Sequence, residues 1–303
     1  MLHHQLALYI HVLFVIVTLG CPYATQDIWA ESPDAIDALH DQMDNGLRGV
    51  LLASFMDRSP ESSLAKMLTR TKMHSVKPPA LYSIEDQTFV LYVPKDYDPR
   101  QKYGLVVYIS NIPAFVPPQD WQQVLTDRKL IMISANNADQ NKSVYQRMGL
   151  AMDAVYNATL RYNIVSDRIY ITGMHSGADL ASVLAIHYPK QFAGGLFIHS
   201  CLFYRDIQST ATDDTQVRAG YRRPMMDKLY RAKSDNRYVI LAGEKASNLP
   251  DLKAIYSRGF VADRFRQVQL LMMPKRNTTR PDRIWFAKAI DVLDRISAPA
   301  VTP

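Results

Sequence analysis

The rhythm of apolar and polar positions changes three times along this chain. Residues 6–20, LALYIHVLFVIVTLG, form an apolar run broken only by His11, and no charged side chain precedes Asp27. A run of about fifteen apolar residues has the length of a signal-peptide core and is short for a membrane span. Between residues 31 and 80 the rhythm is helical. Ala35, Ile36, Leu39, Met43, Leu47, Val50 and Leu51 recur at three- and four-residue spacing. Ser59-Pro60 interrupts that pattern, residues 62–67 resume it, and Lys77-Pro78-Pro79 closes it as a linker.

From Tyr82 onward strands and helices alternate. Residues 88–93 read as a half-exposed strand, and residues 105–109 and 130–133 as continuous apolar runs of buried strands. Residues 143–162 form a long helix with Met148, Met152, Val155 and Leu160 on or near one face. Residues 168–172, 195–198, 238–241 and 268–273 read as strands, and 178–187, 249–256 and 284–296 as helices. The stretch 202–236 is too long for a plain loop. It is expected to hold a helix around 225–231 and to act as a cap. The chain thus divides into an export segment (1–24), a helical segment with linker (25–81) and an α/β domain (82–303) with a mostly parallel, doubly wound sheet.

Composition narrows this picture. With 303 residues, 48% hydrophobic and 21% charged, the chain is globular and neither disordered nor fibrous. Two cysteines, Cys21 and Cys201, with no CxxC, exclude a disulfide scaffold and a thiol-ligated zinc site. The apolar run has three possible fates: cleavage near Ala24, retention as an anchor through residues 6–24, or lipidation at Cys21. All three export the domain to the outside, the periplasm or the envelope.

Charge is unevenly placed. Asp27, Glu31, Asp34, Asp37, Asp41 and Asp44 give residues 1–47 a charge of −6, so the remainder carries +12 of the net +6. The positive charge concentrates in residues 218–237 and 258–283, each at +5, without a stripe of interleaved aromatics. An exported protein with that distribution is not expected to bind nucleic acid. No phosphate-binding glycine motif occurs, and no cofactor is expected. His175 and His199 could share the carboxyl edge of the sheet, but two histidines without a third ligand do not make a metal site.

Five stretches in order are suggestive. These are Thr88-Phe89-Val90-Leu91-Tyr92-Val93-Pro94-Lys95-Asp96-Tyr97-Asp98, Leu105-Val106-Val107-Tyr108-Ile109, and Asp167-Arg168-Ile169-Tyr170-Ile171-Thr172-Gly173. His187-Tyr188-Pro189-Lys190-Gln191-Phe192-Ala193-Gly194 and Gly243-Glu244-Lys245 with Asn248 complete the series. Together they resemble α/β-hydrolases of the polyhydroxybutyrate depolymerase and feruloyl esterase type over roughly residues 82–297. The resemblance implies an α/β-hydrolase fold and an esterase site with a Ser on a sharp strand-to-helix elbow, an acid, a His base and an oxyanion hole.

The residues at those positions depart from that chemistry. The elbow reads Gly173-Met174-His175-Ser176-Gly177, with His175 where the nucleophile belongs and Ser176 beside it. Framing the elbow on Ser176 would put Met174 at a position that needs a small residue. Ala246 stands at the acid position. Asp251, five residues on, reads as a solvated acid of the next helix's first turn. The base position falls at Thr278, and no histidine occurs beyond His199. Ser110-Asn111 replaces the His-Gly of the oxyanion loop.

The expected protein is therefore an exported hydrolase-fold pseudoenzyme that binds. Candidate ligand contacts are Ser110, Asn111, His175, Ser176, Lys275 and Arg276, toward an anionic small molecule or glycan, with both basic segments bordering the former pocket. Two alternatives stand beside it: an ester hydrolase with Ser176 or His175 as an unconventional nucleophile, and an envelope structural protein. Sequons at Asn141, Asn157 and Asn277 matter only if the source glycosylates.

Overall fold

A computed structural model of the chain describes residues 12–16, 25–28, 48–73, 78–209 and 216–294. Its sheet strands are β1 (Val12–Ile16), β2 (Thr25–Ile28), β3 (Gly49–Ser54), β4 (Thr88–Val93), β5 (Tyr103–Ile109), β6 (Leu130–Ala135), β7 (Ile164–Met174) and β8 (Gly194–Ile198). A separate two-stranded ribbon, β9 (Ile207–Gln208) and β10 (Gln216–Val217), precedes the last two sheet strands, β11 (Arg237–Gly243) and β12 (Gln267–Met273). The helices are α1 (Leu64–Thr71), α2 (Gln119–Asp127), α3 (Val144–Arg161), α4 (Ser176–His187), α5 (Met226–Ser234), α6 (Leu249–Ala254), which runs on as a π-helical turn over Ile255–Val261, and α7 (Arg283–Asp294).

The sheet order is β12-β11-β8-β7-β5-β6-β4-β3-β1-β2. From β6 to β12 all neighbours are parallel, whereas β4 runs antiparallel to both β6 and β3. Strand β5 shows why the centre is stable. Leu105, Val107 and Ile109 face one core while Val106 and Tyr108 face the other, the two-residue alternation of a strand buried on both sides. The first core takes Met148 and Met152 of α3 and Val183 and Leu184 of α4. The second takes Trp121 of α2 and Phe286 of α7, whose rings stack at 4.1 Å. From β5 the chain steps one way to β6, and from β7 it steps the other way to β8. The carboxyl ends of β5 and β7 therefore flank the switch point where open α/β sheets bind ligands.

Three expectations change. Val50 and Leu51 were expected in a helix but lie in β3, paired antiparallel with β4 so that Leu51 faces Leu91. Alternate burial of Leu51 and Ala53 is a period of two hidden within apparent helical spacing. The sheet thus starts before residue 82, and α1 packs against α3 and α4. Second, α3 begins as expected, with Ser143 Oγ capping Gln146 N at 3.2 Å, but Leu160 is exposed near its end. Third, Asn157 is fully buried, its amide donating to Asp57 O and Asp153 O, so its sequon is closed to modification.

The proposed export segment lies mostly outside the described residues, as do Cys21 and the helical run at 35–47. Only Val12–Ile16 of the apolar run is described, as a strand beside β3. Among the described residues no helix is long and apolar enough to cross a membrane.

Candidate functional site: the strand-to-helix elbow

Strand β7 ends at Met174 and α4 begins at Ser176, so the turn between them is one residue, His175. Its backbone sits at φ 51 and ψ −122, a conformation that costs a non-glycine residue about 1–3 kcal/mol. A Cβ at Gly173 would stand 2.7 Å from Ile109 O, and one at Gly177 2.1 Å from the same oxygen. Both positions require glycine, which fixes the elbow frame with His175 at its apex. Ser176 belongs to the helix, and its Oγ accepts from Arg147 Nη2 at 3.3 Å.

The His175 ring stacks on His199, with centroids 5.6 Å apart and planes 23° from parallel. Among the described residues it has no hydrogen-bond partner. His199 follows β8 and is almost fully buried. Its Nε2 lies 2.8 Å from Thr279 O. A carbonyl can only accept, so Nε2 carries the proton and Nδ1 is a lone pair, buried with no partner among the described residues. Burial holds this imidazole below its ordinary pKa, the nearby His175 adds to that, and the Thr279 bond opposes it. Asn248 Nδ2 donates to His199 O at 2.8 Å, leaving Asn248 Oδ1 buried without a partner as well.

The other expected positions surround this pair without assembling a proton relay. Ala246 is buried in the turn after β11, its N–H bonded to Gly243 O at 3.1 Å. The loop holding Thr278 presses against β11, where a Cβ on Gly243 would stand 2.0 Å from Asn277 O. That loop offers His199 a backbone carbonyl from Thr279 in place of an imidazole. Ser110 is fully buried. Its Oγ donates to Ile112 O at 2.6 Å and accepts from Ile112 N at 3.0 Å, so it closes its own turn. Asn111 is half-buried beside it. Lys275 is exposed, with its backbone N–H on Glu244 Oε2 at 2.8 Å, and Arg276 is paired with Asp282 at 2.9 Å. Asp251, read from the sequence as a solvated helix acid, accepts from Ser209 Oγ at 2.6 Å and so ties α6 to the segment after β8.

Sequence reasoning missed three residues at this site, Arg147, Asp179 and Ser200. Arg147 of α3 is buried, with Nε on Ala138 O at 2.9 Å and Nη2 on Ser110 O at 2.8 Å, and burial brings its guanidinium down to about 10. Asp179 Oδ1 accepts from Ser200 Oγ at 2.5 Å, and burial pushes its carboxyl up to about 6 against the opposing pull of that bond and of Arg147. The available signal was a charge set among apolar neighbours, Arg147 before Met148 and Asp179 between Ala178 and Leu180. Cys201, two residues past His199, is a buried thiol whose pKa burial raises, the opposite of a reactive nucleophile. No cluster of three metal-ligating side chains exists among the described residues.

Of the two basic segments, the first is not where the sequence suggested, while the second contains the Thr279 loop that reaches His199 beside the elbow. After His199 the chain runs down the length of α4: Ser200 bonds Asp179, Leu202 N bonds Ser182 Oγ at 3.0 Å, and Arg222 O meets His187 Nε2 at 3.0 Å. Arg222 therefore lies at the far end of α4, about 18 Å from the elbow at 1.5 Å per residue. In the second segment Arg276, Arg280 and Arg283 are paired with Asp282, Asp120 and Asp127, and Arg258 donates to Gln208 O and Ser209 O. The first segment is thus remote from the elbow, and these four arginines of the second are engaged locally.

The strand order, a parallel run continued on its β6 side by four strands that pair antiparallel, and the glycine-flanked elbow define an α/β-hydrolase fold. Residues 149–247, from α3 through β11 and the start of the acid loop, match the family described as Esterase PHB depolymerase. None of the curated proteins matches the chain. Among solved structures it is similar to a thermophilic esterase from Thermogutta terrifontis with butyrate bound (14% identity, 69% of this chain, 87% of that one, TM-score 0.49). It is also similar to Est1E from Butyrivibrio proteoclasticus (13% identity, 67% of this chain, 91% of that one, TM-score 0.47). A chain from Bacteroides ovatus described as a dipeptidyl aminopeptidase IV is similar at 14% identity and TM-score 0.49, with 74% of this chain matched, and this chain spans 35% of it.

Proposed function

We propose that this is an exported α/β-hydrolase-fold protein that has lost ester hydrolysis and acts by binding an anionic ligand. The observation that carries the loss is the elbow itself: its strained apex is His175, while the only hydroxyl beside it, Ser176, is the first residue of α4 and is bonded to Arg147. Ala246 cannot orient a base, and the base loop supplies a carbonyl. Removing one oxyanion donor alone costs about 10²–10³ in rate, and here nucleophile, acid and base positions are all substituted. The long apolar run before Asp27 supports export.

A fluorophosphonate probe and a p-nitrophenyl butyrate assay test the loss of hydrolysis. Neither labelling nor turnover above the heat-inactivated protein is expected. Covalent labelling that vanishes in Ser176→Ala would overturn it. One observation favours a second reading, ester hydrolysis through His175, because its ring has no hydrogen-bond partner among the described residues while its backbone keeps the elbow strain. That reading requires turnover that survives Ser176→Ala and disappears in His175→Gly. For export, mass analysis of the mature N-terminus should find a start near residue 25, whereas an intact Met1 in the membrane fraction means a retained anchor.

A further inference from the structure

The far end of α4 holds an open cleft of about 720 Å³ between α1 and the segment leading into α5. This is within the size range of small-molecule pockets. We propose that this cleft binds an anionic amphiphile, one carboxylate or phosphate head seated on Arg222, Arg223 and Lys228, with its apolar tail along Pro224, Met225 and Met226. The site is separate from the elbow, and the proposal holds whether or not His175 or Ser176 performs chemistry.

The charge argument comes first. Five cationic side chains line the cleft, and no acid or amide does among the described residues. Lys66 and Arg70 on the α1 side share Glu61, at 3.8 and 2.7 Å. Among the described residues Arg222, Arg223 and Lys228 have no carboxylate within ion-pair distance, and Arg223 lies over the Tyr204 ring at 6.0 Å. The main chain of Arg222 is pinned on both sides, its N–H to Thr71 O at 2.8 Å and its carbonyl to His187. The guanidinium is thus carried on a fixed backbone, which lowers the entropic cost of holding an anion. Helix α5 begins here without a side-chain cap on Met225, so the positive end of its dipole opens on the same cleft. Its first-turn acid, Asp227, does not line the cleft. Burial, opposed by the bond to Arg222 O and reinforced by the charges of Arg70, Arg222 and Lys228, holds His187 on the cleft wall down to about 4.

The tail argument is independent. Met225 and Met226 are 63% and 71% exposed, and Tyr230, one turn along the same face of α5 from Met226, is 70% exposed. Large apolar side chains left this open in a group mark a binding surface, and methionines adapt to flexible apolar partners. A glycan would need acceptors and donors for its hydroxyls, but among the described residues Thr69 is the sole neutral hydroxyl or amide side chain on the lining. The charge favours an acidic head and the lining favours a hydrocarbon body, which excludes the sugar alternative suggested by charge alone.

Calorimetric titration of the full chain at low salt tests this. Octyl phosphate is expected to bind at least tenfold more tightly than inorganic phosphate and than octyl glucoside, and octanoate should compete with it. Arg222→Glu with Arg223→Glu should weaken octyl phosphate at least tenfold, and Met226→Asp severalfold. Unchanged melting shows that the fold survives, and Lys228→Glu repeats the test should the double variant fail to fold. Inorganic phosphate binding as well as octyl phosphate would reduce the cleft to a counter-ion site and overturn the proposal. So would equal binding of octyl glucoside, the absence of saturable binding, or affinity untouched by the charge reversals. Phosphatidylglycerol vesicles separate the sources of the head. Recruitment lost in the double variant assigns it to a membrane lipid, and octyl phosphate binding without recruitment assigns it to a free amphiphile, each in support.

Discussion

The two ends of α4 carry similar residue types and use them in opposite ways. At the amino end His175, Ser176, Asp179 and Ser200 gather with Arg147, and most polar groups are spent internally: Ser176 on Arg147, Ser200 on Asp179, Ser110 on its own turn, His199 Nε2 on Thr279, with the His175 ring, His199 Nδ1 and Asn248 Oδ1 unpaired among the described residues. At the carboxyl end His187 is also buried and bonded, but the cations around it face an open cleft. A site that hydrolyses esters needs the first kind of place with unspent groups aimed at a reacting atom. Here the elbow frames side chains that largely hold one another, whereas the cations without an ion pair among the described residues line the cleft at the other end of the helix.

The largest expected break of this contrast is Gly177→Ala. Its Cβ would sit 2.1 Å from Ile109 O, in backbone that cannot yield without separating α4 from β5. Destabilisation of roughly 3 kcal/mol or more is expected in urea unfolding. A loss below about 1 kcal/mol would mean that the elbow frame is not rigid, and with it the assignment of His175 to the apex.

The next effect is on pH dependence, where the two ends oppose each other. Asp179 has its folded pKa raised to about 6 by burial, so the native state holds this proton more tightly than the unfolded chain. Its contribution is full below about pH 4 and is lost as pH rises toward 6. His187 has its folded pKa lowered to about 4, so its contribution is full above about pH 6.5 and is lost as pH falls toward 4. Each is worth on the order of 3 kcal/mol, and in wild type they nearly cancel across the same window. Asp179→Asn keeps an acceptor for Ser200 and should gain stability over wild type above pH 6 and none at pH 4. His187→Gln keeps a donor for Arg222 O and should gain near pH 4 and not at pH 7. Melting curves at pH 4, 5, 6 and 7 check both signs, and two variants shifting in the same direction would refute the opposition.

Much of this was legible in the sequence, and the reasons for the rest are physical. The buried runs at 105–109 and 130–133 and the glycines of the elbow each state a local demand, for burial on both faces or for room against Ile109 O, and sequence periodicity records local demands well. Strand β3 was misread because Leu47, Val50 and Leu51 satisfy helical spacing, and only pairing with β4, some forty residues on, selects the strand. His175, Ala246 and Thr278, at the positions the resemblance implies for nucleophile, acid and base, could be read off residue by residue. The path of the segment after β8 was not. Its direction along α4 is set by Ser182 and Asp179 binding backbone and side chains about twenty residues away, a long-range choice that no local pattern announces. The basic cluster was therefore seen, and its distance from the elbow was not.

The smallest effect discriminates most finely between the two ends. His175→Gly removes a side chain from φ 51 and ψ −122, and relief of that strain is worth about 1 kcal/mol. It also removes the stack on His199, worth about 0.5 kcal/mol or more. If the elbow is a retained frame without a function of its own, strain dominates and the variant should melt slightly higher than wild type, with octyl phosphate affinity at the cleft unchanged. If it melts lower by 1 kcal/mol or more, the paired imidazoles are a cohesive element that the fold depends on. In that case the strain at His175 is offset within the elbow itself, through His199 and its bond to Thr279.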